Sequence, residues 1–382
     1  MLHKEYLAPD ERRLLGRFWQ SASGFWRGPS AWWAWFLVVF LVATILLQLL
    51  TQYRLNFWNR DFFDAIERKD AAGLWREALR LLPIGAASLT LAILSVWGRM
   101  TVQRKWREWL SNHLYDYWLE RDHIVRLKFM PGEHQAPEFR IAEDARVATD
   151  LPIDLLLGLL SAILVAITFI SILWTVGGDL AISALGTRVV IPGYLVIAVI
   201  SYSVMMTASM MLIVRHLTRV IEDNKRTEAE LRSVGTHLRE AGEGLDPDAR
   251  LDGRRAIGRS LDAVLLIWRT YCWQLMRMTL VTHTNSLLTP FIALLLCTPK
   301  YIEGTMTLGE VVQAAAAFVV VQGAFNWIND SYGRISEWAA SANRVASLLL
   351  ALDEIDGQTS SRTAAMADRR ELGHPGAKRT SE

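Results

Sequence analysis

The chain has 382 residues, 52% of them hydrophobic and 21% charged, with a formal net charge of +2 and a mean hydropathy of +0.19. Apolar spans must therefore alternate with strongly charged stretches, as in a polytopic membrane protein. The balance of 41 Lys+Arg against 39 Asp+Glu gives no reason to expect a nucleic-acid partner, and two cysteines, Cys272 and Cys297, supply neither a disulfide framework nor a metal set.

In chain order, residues 1–30 form a charged, amphipathic segment with no early apolar core, expected to stay attached and cytoplasmic. Trp26, Trp32, Trp33 and Trp35 then crowd the edge of the first apolar run, where a membrane interface favours indole rings. Six stretches could span. Ala31–Leu50, Leu151–Val176, Val189–Val214 and Met278–Cys297 are the clearest, each near or above the ~20 residues a bilayer requires. Leu81–Trp97 contains Pro83 and Gly85, and Val311–Ile328 is softened by Gln313, Gln322 and Asn326, so each either lines a polar space or packs on neighbours. The fold expected is an all-α, polytopic membrane domain over residues 31–350, followed by an unstructured tail over 351–382.

Positive charge orients the spans. Gly98–Asp150 carries nine Lys/Arg and Arg215–Arg277 carries twelve, against one each in Gly177–Arg188 and Pro299–Gly309. Both termini and the two large loops are expected on the cytoplasmic side, with Thr51–Arg80 as a local exception rich in both signs. Tyr194–Val234 has 41 residues without Gly or Pro, and Arg99–Met130 another 32. At ~1.5 Å per residue the first would be roughly 60 Å long, about twice the ~30 Å of hydrocarbon. Such helices either run well past the membrane or break at its surface. A stalk of cytoplasmic helix pairs follows from the first alternative, with a Gly- and Asp-rich reversal at Gly242–Gly258.

Little in the sequence points to an enzyme. Gly253–Ser260 has the glycine spacing of a phosphate loop but Arg259 in place of Lys and no preceding strand, so a chance match is expected, with no cofactor. Carboxylates in or beside spans are more suggestive, because charge is expensive in lipid. They are Asp154, Glu310, Asp330 and Glu337, with Glu143, Asp144, Glu228 and Glu230 on the long extensions. The alternatives differ: Asp154, one turn into its span, could reach the headgroups, while Glu143 and Asp144 would be helix-surface charges or partners of Arg140 and Arg146. A buried carboxylate can take up a proton near neutrality, which makes proton coupling chemically possible. His283 and Asn285 lie in a polar patch, Thr282–Ser286, that either faces a pathway or bonds to a neighbouring helix.

Four stretches resemble a known group: Asn56–Trp75, Phe139–Pro152, Ile221–Ser233 and Phe325–Leu349. They are similar to the SbmA/BacA-like family and the related YddA-type half-transporters, over roughly Asn56 to Leu350. The resemblance implies an exporter-type six-helix ABC transmembrane domain, assembled as a homodimer in a bacterial inner membrane. YddA-type members carry a nucleotide-binding domain after the sixth helix, where this sequence stops. SbmA/BacA-type members lack it and import peptides at the expense of a proton gradient. The family's R-x-x-E-D stretch falls on Arg140, Glu143 and Asp144, its E-A-x-x-R stretch on Glu228 and Arg232, and the closing-helix pair on Glu337 and Arg344. The resemblance implies that these glutamates couple protons to transport of a peptide or other amphipathic substrate. Alternatives remain: a permease whose ATPase is a separate chain, or a truncated half-transporter with an interaction role.

Overall fold

The computed structural model describes residues 8–28, 31–120, 123–129, 136–184, 187–240 and 246–372. Short helices α1 (Ala8–Ala22) and α2 (Gly24–Arg27) precede two long ones, α3 (Ala31–Glu67) and α4 (Ala71–Leu119). After α5 (His123–Leu127) and α6 (Pro137–Phe139), a π-helical turn at Arg140–Asp144 leads into α7 (Ala145–Gly177). A hairpin of β1 (Asp179–Ala184) and β2 (Thr187–Pro192) is followed by α8 (Tyr194–Glu240), α9 (Pro247–Ile302) and α10 (Leu308–Leu372). Six helices are long and apolar enough to cross a membrane, matching the six expected spans.

Several boundaries differ from those the sequence suggested. The stretch Thr51–Arg80 is no loop: α3 and α4 consume it, leaving only a turn at Arg68–Asp70. Asp70 caps α4 by accepting from the Gly73 amide at 3.0 Å, and Lys69 takes the left-handed conformation. The expected helix Arg99–Met130 ends at Leu119, and Met130 lies outside the described residues. The expected span from Val189 begins instead at Tyr194, because Val189 pairs with Ile182 in the hairpin. The expected reversal Gly242–Gly258 is helical from Pro247 onward, with residues 241–245 outside the described set. The tail expected to be unstructured continues as helix to Leu372.

Length confirms the first alternative for the extensions. The 47 residues of α8 and 56 of α9 exceed by about twofold or more the ~20 needed to cross a bilayer. Pro83 is accommodated inside α4, which runs unbroken through it. The most apolar window of α4 has none of its residues buried by the rest of the chain, whereas 44% of that of α10 is buried. Val311–Ile328 therefore packs on neighbours, with Gln313 and Gln322 buried.

The chain forms two compact units. One comprises Met1–Thr51, Gly85–Ser161 and Asp330–Glu382. In it α4 presents Val102, Trp106, Leu110 and Leu114, four residues apart and all buried, to Ile141, Ala145 and Ala148 and to Ala342, Val345, Ala346 and Leu349 of α10. Small residues on α7 and α10 let those backbones approach. The other unit comprises Gln52–Ile84 and Ala162–Asn329. Its core includes Phe169, Leu173, Leu195, Val199, Cys297, Phe318 and Val321, and α8 packs along α9 within it.

Candidate functional site

The first unit gathers charge where α7 begins. Pro137 opens α6 at a position that needs no amide donor, and a wider turn follows in which the Ala145 amide donates to the Arg140 carbonyl. This i to i+5 bond changes the helical phase and turns Ile141 and Asp144 into the interior. Asp144 is 2% exposed. Its Oδ2 accepts from Arg140 Nη1 at 3.0 Å, and its Oδ1 accepts from Arg344 Nε and Nη2 at 2.9 and 2.6 Å. Arg344 also donates to Ser341 Oγ at 2.9 Å. Glu143, half-exposed on the same turn, pairs with Arg146.

A second ionic node lies ten residues along α7. Asp154 Oδ2 accepts from Arg334 Nη2 at 2.5 Å, and Oδ1 accepts from Gln103 Nε2 at 2.8 Å, with Arg99 Nε at 3.5 Å. The pairs 144 with 344 and 154 with 334 share one antiparallel register between α7 and α10. Ten residues of helix separate the nodes by about 15 Å along the axis. The sequence had placed Asp154 among its candidates; Arg334, Arg99 and Gln103 were missed, since nothing local reveals a partner 180 residues away.

The remaining candidates are dispersed. Glu337 is exposed on α10 but close enough to Arg146 to interact electrostatically, and Asp330 is exposed. Glu228 belongs to the other unit, where it is exposed and accepts from Asn224 at 3.3 Å; Glu230 pairs with Arg226, and Arg232 faces outward. The four family carboxylates thus divide three to one between the units. His283 is exposed on α9, whereas Asn285 is buried and accepts from the Tyr202 hydroxyl of α8 at 3.0 Å. For Asn285 the neighbouring-helix alternative holds.

Glu310 is a capping residue. Its carboxylate accepts from the Thr307 amide at 3.0 Å while Thr307 Oγ1 accepts from the Glu310 amide at 3.2 Å, a capping box at the start of α10. The sequence reading had placed Glu310 only among carboxylates beside a span, although Thr-x-x-Glu is the spacing of such a cap. Asp64 and Glu67 of α3 add two acceptors, for Gly309 N at 2.9 Å and Leu308 N at 3.0 Å. The glycine-spaced stretch Gly253–Ser260 is continuous helix and offers no loop to cradle a phosphate. A further network escaped sequence reasoning: Asp353 of α10 accepts from Arg17 of α1 and from the Tyr117 hydroxyl of α4, and His123 of α5 contacts Asp356 at 3.0 Å.

Chemically, this arrangement is a set of ionic latches. Burial by itself would raise the Asp144 carboxyl, but the hydrogen bonds from Arg344 and Arg140 outweigh it and hold the group below the usual carboxylate range, in its ionised form. Among the described residues no His, Cys, Asp and Glu cluster could hold a metal ion.

Comparison with known proteins locates the chain among transporters. Residues 29–245 match the family model for ABC transporter transmembrane region 2. Over 347 residues it is 25% identical to the inner membrane ABC transporter ATP-binding protein YddA of Escherichia coli (strain K12), spanning 87% of this chain and 60% of that protein. An uncharacterized ABC transporter ATP-binding protein of Synechocystis sp. is 24% identical over 318 residues, with 82% and 46% covered. The Arabidopsis thaliana ABC transporter D family member 2, chloroplastic, is 21% identical over 346 residues, with 88% and 46% covered. The chain spans about half to three fifths of the length of these relatives.

Proposed function

Because this chain belongs to the ABC transporter transmembrane region 2 family, we propose that it is the membrane half of an ATP-driven transporter that carries amphipathic molecules, peptides among them, across a bacterial cytoplasmic membrane. Two copies enclose the pathway, and ATP is hydrolysed on a nucleotide-binding domain coupled to these helices. The observation that carries the reading is six long helices, the apolar window of α4 wholly uncovered by the rest of the chain, in a sequence whose relatives are named as ATP-binding. A lone chain leaves such surface for lipid or for a second copy. The twofold-paired Asp144 supports ATP over protons, since a carboxylate so held is a poor proton acceptor. Orientation follows the Lys/Arg excess, with both termini cytoplasmic.

A second reading, proton-driven peptide import in the SbmA/BacA manner, draws on Glu228 and Glu337, which are exposed on their helices at acidic positions of that resemblance. One experiment separates the two: uptake of a fluorescent amphipathic peptide into cells with and without the chain, alone and with a YddA-type ATPase domain co-expressed. The ATP-driven reading expects movement only with the ATPase, insensitive to an uncoupler at maintained ATP. Uncoupler-sensitive uptake by the chain alone, lost in Glu228→Gln and Glu337→Gln, would establish the second reading and overturn the first.

A further inference from the structure

Within the first unit, a cavity of about 380 Å³ opens among α1, α2, α3, α4 and α7. That volume lies within the range of small-molecule pockets, roughly 300–1,000 Å³. Four tryptophans dominate its wall, Trp19, Trp26, Trp35 and Trp106, with Leu156 of α7 opposite and Arg27 as the one charged lining residue. Trp106 Nε1 donates to the Ala22 carbonyl at 3.3 Å and Trp35 Nε1 to the Trp26 carbonyl at 3.4 Å. Those two indoles spend their polar edges on backbone and turn apolar rings to the space. Trp26 sits edge-on to both, with centroids 6.0 Å from Trp35 and 5.6 Å from Trp106.

The cluster is held rather than draped. Gly24 lies flat on the Trp109 ring, and a Cβ there would come within 2.6 Å of Trp109 Cη2, so only glycine lets α2 close on α4. This fixes Arg27, in the last turn of α2, at the cavity. Arg27 is exposed and makes no ion pair among the described residues.

We propose that this cavity binds one anionic phospholipid of the surrounding leaflet, its acyl chain against the tryptophans and its phosphate on Arg27. The wall chemistry selects the occupant. A peptide would bring backbone donors and acceptors for which the walls offer little beyond Ser23 and Arg27, and burying them unpaired is costly; an acyl chain has none. A guanidinium with no ion pair among the described residues, beside an apolar slot without a lining carboxylate, complements a phosphodiester. Tryptophans at the membrane boundary place the slot at headgroup depth. No latch residue lines the cavity, and the proposal does not depend on how transport is energised.

Native mass spectrometry of the detergent-purified full chain tests this, with phosphatidylglycerol and phosphatidylcholine of identical acyl chains as probes. The expected result is one phosphatidylglycerol retained per chain, roughly tenfold tighter than phosphatidylcholine, because both lipids offer Arg27 a phosphodiester but the choline headgroup sets a second cation beside the guanidinium. Arg27→Gln should abolish the preference and Arg27→Lys should keep most of it. Leu156→Trp, which fills the slot from a partly exposed position, should remove one-to-one binding of both lipids while the melting temperature holds. Equal retention of the two lipids by the wild-type chain, a full preference in Arg27→Gln, or undiminished binding in Leu156→Trp would each overturn the proposal. So would absence of one-to-one lipid because residues 1–7 or a second copy fill the slot, detected as lipid binding that appears only after their removal or on dissociation to monomer.

Discussion

Asp144 shows how much of this molecule's charge chemistry is decided by single side chains. It is 2% exposed and held by two arginines, one on its own turn and one 200 residues away. Removing one partner of a buried pair is costly because the other charge stays behind undersolvated. Arg344→Met should therefore destabilise the detergent-purified protein by about 3 kcal/mol, the low end for a broken buried pair since Arg140 remains. Asp144→Asn removes the charge but keeps the shape and should cost about 1–2 kcal/mol. If the pair ties α7 to α10, the double variant should be less damaged than the sum, with a coupling of about 1 kcal/mol or more. Additive losses in chemical-denaturation midpoints would show that the contact contributes nothing as a pair.

At the scale of elements, the start of α10 is the clearest case of sequence chemistry serving tertiary contact. Thr307 and Glu310 form a capping box from local residues, but Gly309 is there for α3: a Cβ at 309 would lie 2.2 Å from the Arg60 carbonyl oxygen and 2.3 Å from Asp64 Oδ1. Backbone cannot yield as a flexible side chain can. Gly309→Ala should thus lower stability by about 1–3 kcal/mol, overriding the helix propensity it gains. Gly323→Ala, on the same helix with nothing within 4 Å, should be neutral or stabilising. Thermal unfolding of the two variants side by side checks the sign, and a shared direction would mean that propensity rather than contact governs both. Thr307→Ala should cost about 1 kcal/mol through the cap alone.

Over the whole molecule, an even count of six candidate spans would put both termini on one side, and the proposal that this side is cytoplasmic rests on the Lys/Arg excess. With Cys272 and Cys297 replaced by serine and alanine, a single cysteine at Lys69 should react with an impermeant maleimide added outside intact cells. One at Arg250 should react only after the cells are opened. The reverse pattern would invert the topology and remove the cytoplasmic placement of the long α8 and α9 extensions. The turn at Lys69 is a stringent probe, because the charges around it are the ones that break the positive-inside pattern.

The sequence by itself determined the number of spans and the excess length of the helices, because apolar runs and the absence of Gly and Pro are local properties. It listed Glu310 only as a carboxylate beside a span, although the i to i+3 spacing of its cap is local as well. It also pointed to Arg140, Glu143, Asp144 and Arg344 as residues of interest, though through family likeness rather than geometry. It misplaced the first residues of α8, since Val189–Pro192 is as apolar as the helix that follows and only pairing with β1 makes it a strand. It read Thr51–Arg80 as loop because charge outweighs periodicity there, whereas contacts such as Trp58 Nε1 to the Glu77 carbonyl at 2.8 Å hold it as two helices. Which carboxylate is buried, which arginine meets it, and where tryptophans from four helices close around a cavity were left to the tertiary structure. Those relations join residues far apart in the chain, and no periodicity within one helix encodes the face that another will cover.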